Sequence, residues 1–251
     1  MRPLQTDLSA FGKIDFEKPP VGIKYLFFRP PEMEQLPMDK NLALCEILAE
    51  AQVAEAPFYF SRENNETCVG KILLGMEEME PFAEAGQIGP RLGMVQEARV
   101  NHNFYHHVPR LSKGIVNYVA FSPIDKLTFE PDVLIITATH KQAEIVMRAT
   151  TYSTGEPYTS KTTIFMGCSW IFIYPFETGK VNYLMPEMIH GMTGRELFAP
   201  NSVLISIPYQ WLQTVTQNLG EMKLVFHESK EEYLAEFQEI LVDLVEKSKN
   251  P

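Results

Sequence analysis

An apolar run followed by a helical pattern, in residues 132–155, constrains the fold most strongly. Residues 133–137 are almost continuously apolar, which is typical of a strand buried on both faces of a sheet. Residues 141–153 have helical character, and Gly155 follows where a helix commonly ends. The segment therefore predicts a strand followed by a helix.

Further elements are predicted on both sides of this unit. Apolar and aromatic runs predict strands at residues 21–28, 58–60, 115–121, 181–185 and 203–207. Helical spacing predicts helices at residues 69–76, 94–107 and 209–219, and most clearly in the C-terminal tail. Residues 162–176 fit either a helix or a strand, because periodicity cannot separate short apolar runs.

Two local features carry predictions of their own. Asp39 is the expected N-cap of a helix that extends to about residue 54. The glycines at positions 86, 89 and 93, with Pro90, predict a mobile loop.

Together these elements predict a mixed α/β (α+β) fold. We expect a single compact domain over residues 1–251, with a mixed sheet flanked by helices and a C-terminal helix. A weak boundary near residues 109–114 stays open as an alternative. At 251 residues, the chain can bury a core without support from a disulfide or a metal.

The chain is acidic, with a formal net charge of −10 at pH 7. Phosphate backbones and anionic lipids repel such a protein, so we expect neither nucleic acid nor a membrane as its partner. No signal peptide is recognisable, and the longest apolar run, residues 164–176, is too short to span a bilayer. We expect a cytoplasmic protein, and a small-molecule ligand or a homo-oligomer stays open.

The chain has three cysteines, an odd number that suits reduced thiols rather than a disulfide framework. Cys68 follows the polar residues 63–67 and precedes an apolar, glycine-containing run, so its thiol is expected near the amides of a helix start. Cys45 lies at the edge of an apolar helical stripe, and Cys168 lies inside an apolar run. Each of these two is also compatible with a packing role.

Short motifs over most of the chain, about residues 20–219, resemble the domain of unknown function 169 family. The matching residues are Pro-Val-Gly-Ile-Lys at 20–24, the helix around Cys45, Glu-Asn-x-x-x-Cys-x-Gly at 63–70, Leu-Gly at 74–75, Pro-Arg-Leu at 109–111, Phe-Glu-Pro-Asp-Val-Leu-Ile at 129–135, Gly-Cys at 167–168, Thr-Gly-Lys at 178–180 and Ile-Ser-Ile-Pro at 205–208.

The resemblance implies cysteines at the positions of Cys45, Cys68 and Cys168, and often another one directly after the proline that matches Pro186. Glu187 occupies that last position here, with His190 nearby. Our leading hypothesis is that the three thiols converge and bind an iron–sulfur cluster or another metal. Glu187, His190 or an exogenous ligand would then complete the site.

Two other functions stay open. In a small-molecule-binding protein, aromatic residues such as Phe58, Tyr59 and Trp170 would enclose an organic ligand. In a cysteine-dependent enzyme, Cys68 would be the catalytic nucleophile, with a histidine partner at position 106, 107 or 190.

Two weaker site hypotheses come from local spacing. His102 and His106 lie four residues apart, so a helix would place both on one face, as in zinc-binding helices. Thr139 and His140 precede a predicted helix, where an anion or only a helix cap is expected.

Overall fold

A computed structural model, which describes residues 1–225 and 229–249, confirms the mixed α/β class. Within these residues, seven strands form one sheet. They are β1 (Val21–Leu26), β2 (Glu34–Gln35), β3 (Phe58–Ser61), β4 (Tyr118–Pro123), β5 (Val133–Ala138), β6 (Asn182–Leu184) and β7 (Val203–Pro208). Their order is β2-β3-β4-β1-β5-β7-β6. The β2–β3 pair is parallel and the other neighbours are antiparallel.

The α-helices differ widely in length. They are α1 (Leu44–Gln52), α2 (Gly70–Leu73), α3 (Pro81–Glu84), α4 (Ile88–Arg91), α5 (Ala98–His107), α6 (His140–Thr151), α7 (Tyr174–Thr178), α8 (Tyr209–Glu221) and α9 (Lys230–Lys249). A π-helical segment, Ser169–Ile173, leads directly into α7.

Helices cover the sheet because its central strands are apolar on both faces. Side chains of a strand alternate between the faces. Ile23 of β1 and Ile135 of β5 share one core cluster with Ile47 of α1, and α1 contacts β1 and β4. Helix α6 contacts β5 and β7. The cysteine-bearing segments belong to the cluster on the α1 side.

The predicted strand-then-helix unit is present as β5 and α6, and Thr139 caps the helix. Its Oγ1 accepts a hydrogen bond from the Gln142 backbone N–H at 3.4 Å, and Gln142 Oε1 accepts one from the Thr139 N–H at 2.8 Å. This is the reciprocal arrangement of a capping box. The structure therefore shows the helix-cap role of Thr139.

Two local predictions are wrong. Helix α1 begins at Leu44, and the Glu46 carboxylate accepts the Ala43 N–H at 2.6 Å, so Asp39 is not its cap. The glycine-rich segment contains the short helix α4 instead of being one continuous loop. Gly86 and Gly93 flank this helix at positive φ, where glycine is favoured because it lacks a Cβ.

The chain divides into two compact units, Met1–Gly220 and Glu221–Pro251. The sheet and the cysteine-bearing segments belong to the first unit, and α9 belongs to the second. The prediction of one domain over residues 1–251, with a weak boundary near residues 109–114, stays a prediction. In the described part of the chain, no helix is both long and apolar enough to cross a membrane.

Candidate functional site

Cys45 lies in the first turn of α1 and faces the core. It is 3% exposed and belongs to the same apolar cluster as its helix neighbours Leu44 and Leu48. The start of the helix is fixed by Glu46, whose carboxylate accepts the Ala43 N–H. The thiol is therefore held on a rigid element.

Cys68 lies in a loop with an anchor on each side. On one side, the buried Asn64 accepts the Ser61 N–H at 3.0 Å and donates to the Leu36 carbonyl at 2.8 Å. On the other side, Glu66 Oε1 accepts the N–H of Gly70, the first residue of α2, at 2.9 Å. Cys68 is exposed as a residue, but it also contributes to the lining of a cavity.

Gly70 allows α2 to approach α1 closely. A Cβ at position 70 would lie 2.5 Å from Cγ of Leu44 and 2.9 Å from Oε1 of Glu66. Such distances are shorter than any normal carbon contact. The absence of a side chain at Gly70 therefore helps to bring the Cys68 loop beside the helix that carries Cys45.

Cys168 lies between two unusual backbone features. The π-helical segment follows it directly, and a residue with positive φ precedes it by two positions. Met166 has a φ of 58°, a value that L-residues rarely adopt. The Ser169 side chain donates to the Pro109 carbonyl, and a Cβ on Gly167 would lie 3.0 Å from Sδ of Met192. π-Helical turns and strained residues are frequent at functional sites.

Residues 186–196 form a further segment that contacts α1 and the Cys68 loop through Arg195. We call it the cover segment. His190 donates its backbone N–H to the Ile164 carbonyl at 2.8 Å. Arg195 forms an ion pair with Glu46 at 2.7 Å and donates to Thr67 Oγ1 at 3.4 Å. Arg195 therefore ties the cover segment to both α1 and the Cys68 loop.

The three cysteines line one small cavity of about 40 Å³, which we call the thiol cavity. His190, Glu66 and Arg195 also contribute to its wall. The three thiols come from parts of the chain that are far apart in sequence, and the fold of the first unit brings them together. No disulfide links them.

Burial and a shared hydrogen bond give the three thiols different pKa values. The hydrogen bond from Cys168, assisted by the nearby Arg195 charge, lowers the pKa of Cys45. The same hydrogen bond, together with burial, raises the pKa of Cys168 well above its usual value. Burial also raises the pKa of Cys68, and the neighbouring Glu66 carboxylate adds to that increase. Cys45 is therefore the thiol most easily ionised.

Thiols and an imidazole are soft donors that suit Zn²⁺, Cu⁺ or an iron–sulfur cluster. Among residues 1–225 and 229–249, no group of three or more His, Cys, Asp or Glu side chains is placed to hold a metal ion. The donor types fit a soft metal, and binding would require the donors to draw closer. Cys68 and His190 lie between secondary-structure elements, so their movement would disturb no helix or strand.

Glu187 lies outside the thiol cavity. It lines a larger, open pocket on the cover segment, together with Met188, Thr193 and Gly194. His190 and Arg195 contribute to both the open pocket and the thiol cavity. The proposed ligand role of Glu187 stays a prediction that would require the cover segment to rearrange.

The other predicted histidines lie elsewhere. Nε2 of His102 is 3.1 Å from Nε2 of His106, and Nδ1 of His102 is 2.6 Å from the Glu84 carbonyl. His106 and His107 are not among the residues that line the thiol cavity, whereas His190 is. A nucleophilic Cys68 stays a prediction, and its raised pKa gives it little thiolate at neutral pH.

The aromatic residues expected to enclose a ligand take part in internal packing instead. Phe58 stacks on Phe121 with ring centroids 5.6 Å apart. Tyr59 donates to Gln35 at 3.2 Å, and the buried Trp170 donates to Thr163 at 2.9 Å.

Sequence reasoning missed Arg195 and Glu66. The spacing of Glu66 and Gly70 is compatible with a carboxylate that caps α2. No local pattern marks Arg195, because its role comes from tertiary contacts to Glu46 and Thr67.

A protein-family model matches residues 12–218, and its description is DUF169, Uncharacterised ArCR. The match includes all three cysteines and the cover segment. No curated protein and no solved structure shows a significant match to the chain.

Proposed function

The chain belongs to the domain of unknown function 169 (DUF169) family, and we propose that it binds a thiophilic metal centre through Cys45, Cys68 and Cys168. The centre is an iron–sulfur cluster or a single metal ion that serves redox or substrate-binding chemistry. One observation carries the proposal: three cysteines from distant segments line the same cavity. A reducing compartment such as the cytoplasm, where thiols stay free, suits this function.

The charges around the cavity support a cation as the occupant. Three ionised thiols and the Glu66 carboxylate would place four negative charges around one small cavity. Arg195 is a basic side chain in the wall of that cavity, and it is already paired with Glu46. A metal ion would supply the missing positive charge and would allow Cys68 and Cys168 to ionise in spite of their raised pKa values.

The size of the cavity bears on which metal centre fits. About 40 Å³ is room for roughly one to three water-sized groups. The volume therefore accommodates a single ion with one exogenous ligand, once the donors draw closer to it. An iron–sulfur cluster would need the cover segment to move outward, and His190 on that segment is the proposed nitrogen ligand.

The test is a metal analysis of protein purified without oxygen. We expect stoichiometric iron with acid-labile sulfide, or one zinc ion, and an absorption band from thiolate ligation when the protein is reconstituted with iron and sulfide or with Co²⁺. Separate Cys45→Ser, Cys68→Ser and Cys168→Ser substitutions should each reduce the metal content several-fold. His190→Ala tests the fourth ligand, and His140→Ala, an exposed position at the start of α6, is its matched control away from the cavity.

Folded wild-type protein that stays colourless and free of metal after every reconstitution would exclude this function. Full metal content in all three cysteine variants would exclude the thiol cavity as the site.

A small-molecule-binding protein is the second candidate, and a different cavity supports it. A cleft of about 390 Å³ contains Tyr158, Lys180 and Trp211. Trp211 donates to the Gly179 carbonyl at 3.0 Å and so fixes the turn that carries Lys180. Aromatic rings beside an ammonium group suit a small organic anion with a planar apolar body.

Benzoate is a suitable first probe of this cleft, with Trp170→Phe protein so that the fluorescence reports Trp211. We expect saturable quenching that weakens at least tenfold in Lys180→Gln. Benzylamine, of similar shape but opposite charge, is the matched control. Equal quenching by both probes, or none by either, would remove support for an anion site.

A further inference from the structure

Helix α9 presents a continuous stripe of large apolar side chains to solvent. We call this set the α9 stripe; its members are Leu234, Phe237, Ile240, Leu241, Leu244 and Val245. Each of them is between 42% and 57% exposed. At 3.6 residues per turn they lie within an arc of about 140°, which is the apolar face of an amphipathic helix.

None of the residues of α9 is buried. The helix has 20 residues, so the stripe extends along a rod about 30 Å long. Apolar patches of this extent mark interaction surfaces in soluble proteins.

The charges of α9 argue against a lipid surface as the partner. Six acidic residues, at positions 231, 232, 236, 239, 243 and 246, stand against three lysines, at 230, 247 and 249. Helices that lie on anionic membranes carry mainly Lys and Arg on their polar face. The partner is therefore expected to be a protein surface with an apolar stripe of its own.

The distribution of these charges along α9 points to a second copy of the same helix. Glu231 and Glu232 lie in the first turn, and Lys247 and Lys249 lie in the last turn. We propose that two copies of this chain associate through antiparallel pairing of their α9 stripes. Each acidic helix start would then face the basic helix end of the other copy.

The antiparallel arrangement has a defined centre. Glu231 and Lys249 lie on the same flank of the α9 stripe, and a two-fold axis near Ile240 places Glu231 of one copy opposite Lys249 of the other. The two helix dipoles also oppose each other, which is favourable. A parallel arrangement would bring Glu231 close to its own equivalent, so like charges would repel.

The first test is the mass of the full chain in solution, measured by light scattering after size exclusion over a range of concentrations. We expect a dimer whose dissociation constant rises at least about tenfold in Leu241→Glu, because a buried charge would face its own equivalent at the centre. Ala235→Glu adds the same charge on the opposite side of α9 and should leave the dimer intact. Circular dichroism checks that both variants keep their helix content.

The second test addresses orientation. The substitution Lys249→Glu should weaken the antiparallel dimer, and adding Glu231→Lys should restore it. In a parallel dimer, Lys249→Glu alone would leave the affinity unchanged. A wild-type monomer at every concentration, a dimer insensitive to Leu241→Glu, or a monomer that binds phosphatidylglycerol vesicles would overturn the proposal.

Discussion

Cys45 and Cys168 line one cavity and have opposite pKa shifts because they share a hydrogen bond. The bond stabilises the ionised form of Cys45 and the protonated form of Cys168. Arg195 adds to the first effect, and burial adds to the second. As the pH rises, Cys45 is therefore expected to ionise before Cys168.

Substitution Cys168→Ala should raise the pKa of Cys45, since the thiolate would lose its donor. In metal-free protein that also carries Cys68→Ala, the ultraviolet absorbance of the remaining thiolate reports this ionisation. We expect the midpoint to move to higher pH. Cys168→Ser keeps a hydroxyl donor and should move it less. An unchanged midpoint in Cys168→Ala would show that the hydrogen bond does not control the acidity of Cys45.

The contact of Gly70 with α1 leads to a stability prediction. Gly70→Ala would force its Cβ against Leu44, so we expect a loss of about 1–3 kcal/mol in the free energy of unfolding. Gly12 has no neighbour within 4 Å of such a Cβ, and Gly12→Ala is the matched control. Urea denaturation measures both. Equal stability of the two variants would contradict the tight approach of α2 to α1.

The chemistry of the site residues was visible in the sequence, but most of their contacts were not. The unusual polar setting of Cys68 singled it out, and the family resemblance connected it with Cys45 and Cys168. Their common cavity depends on the packing of α1, α2 and the π-helical segment, which no local pattern encodes. Arg195 could not be found in this way, because its partners are distant in sequence.

At the scale of elements, the cover segment depends on Arg195 for its attachment to α1. The Arg195 and Glu46 side chains are each 23% exposed, so their ion pair is only partly screened by solvent. Removing the Arg195 charge leaves the partly buried Glu46 carboxylate without its counter-charge.

Arg195→Met should therefore loosen the cover segment more than it destabilises the whole chain. We expect faster hydrogen exchange at the amides of residues 189–195 and a loss of about 1 kcal/mol in the free energy of unfolding. Lys126→Met removes the exposed Lys126–Asp125 pair and serves as the control. If exchange rises equally across the sheet, the substitution has acted on global stability instead.

Elements with strong local signals were predicted well, and those that depend on tertiary contacts were not. The apolar run of β5 and the capping box of α6 are encoded within a few residues of each other. The start of α1 was misplaced because a glutamate inside the helix, and not Asp39, satisfies the N-cap amide. The π-helical segment followed no periodicity, since its geometry depends on contacts such as that of Ser169 with Pro109.

At the scale of the whole molecule, the thiol cavity joins segments that span most of the first unit. Cys45, Cys68 and Cys168 lie on three separate elements, and the cover segment closes the cavity from a fourth part of the chain. An occupant that contacts all of them would link these parts in the folded state. Metal binding should therefore stabilise the global fold as well as the local loop.

This linkage predicts a metal-dependent melting temperature. At a free metal concentration about 100 times the dissociation constant, a bound ion adds about 2.7 kcal/mol to the free energy of unfolding. For a chain of this size, that is a rise of roughly 5–10 °C. Calorimetry of wild-type protein with and without Zn²⁺ or reconstituted iron and sulfide measures it.

The matched comparison is the triple variant Cys45→Ser, Cys68→Ser and Cys168→Ser. Its metal-free melting temperature will differ from that of the wild type, because Cys45 is buried in the core, so the quantity to compare is the metal-induced shift. That shift should vanish in the triple variant and persist in His140→Ala. Because unfolded chains also bind metals through cysteine, a wild-type shift at the lower end of the range is compatible with the site. An equal shift in the triple variant would place the stabilising metal elsewhere on the protein.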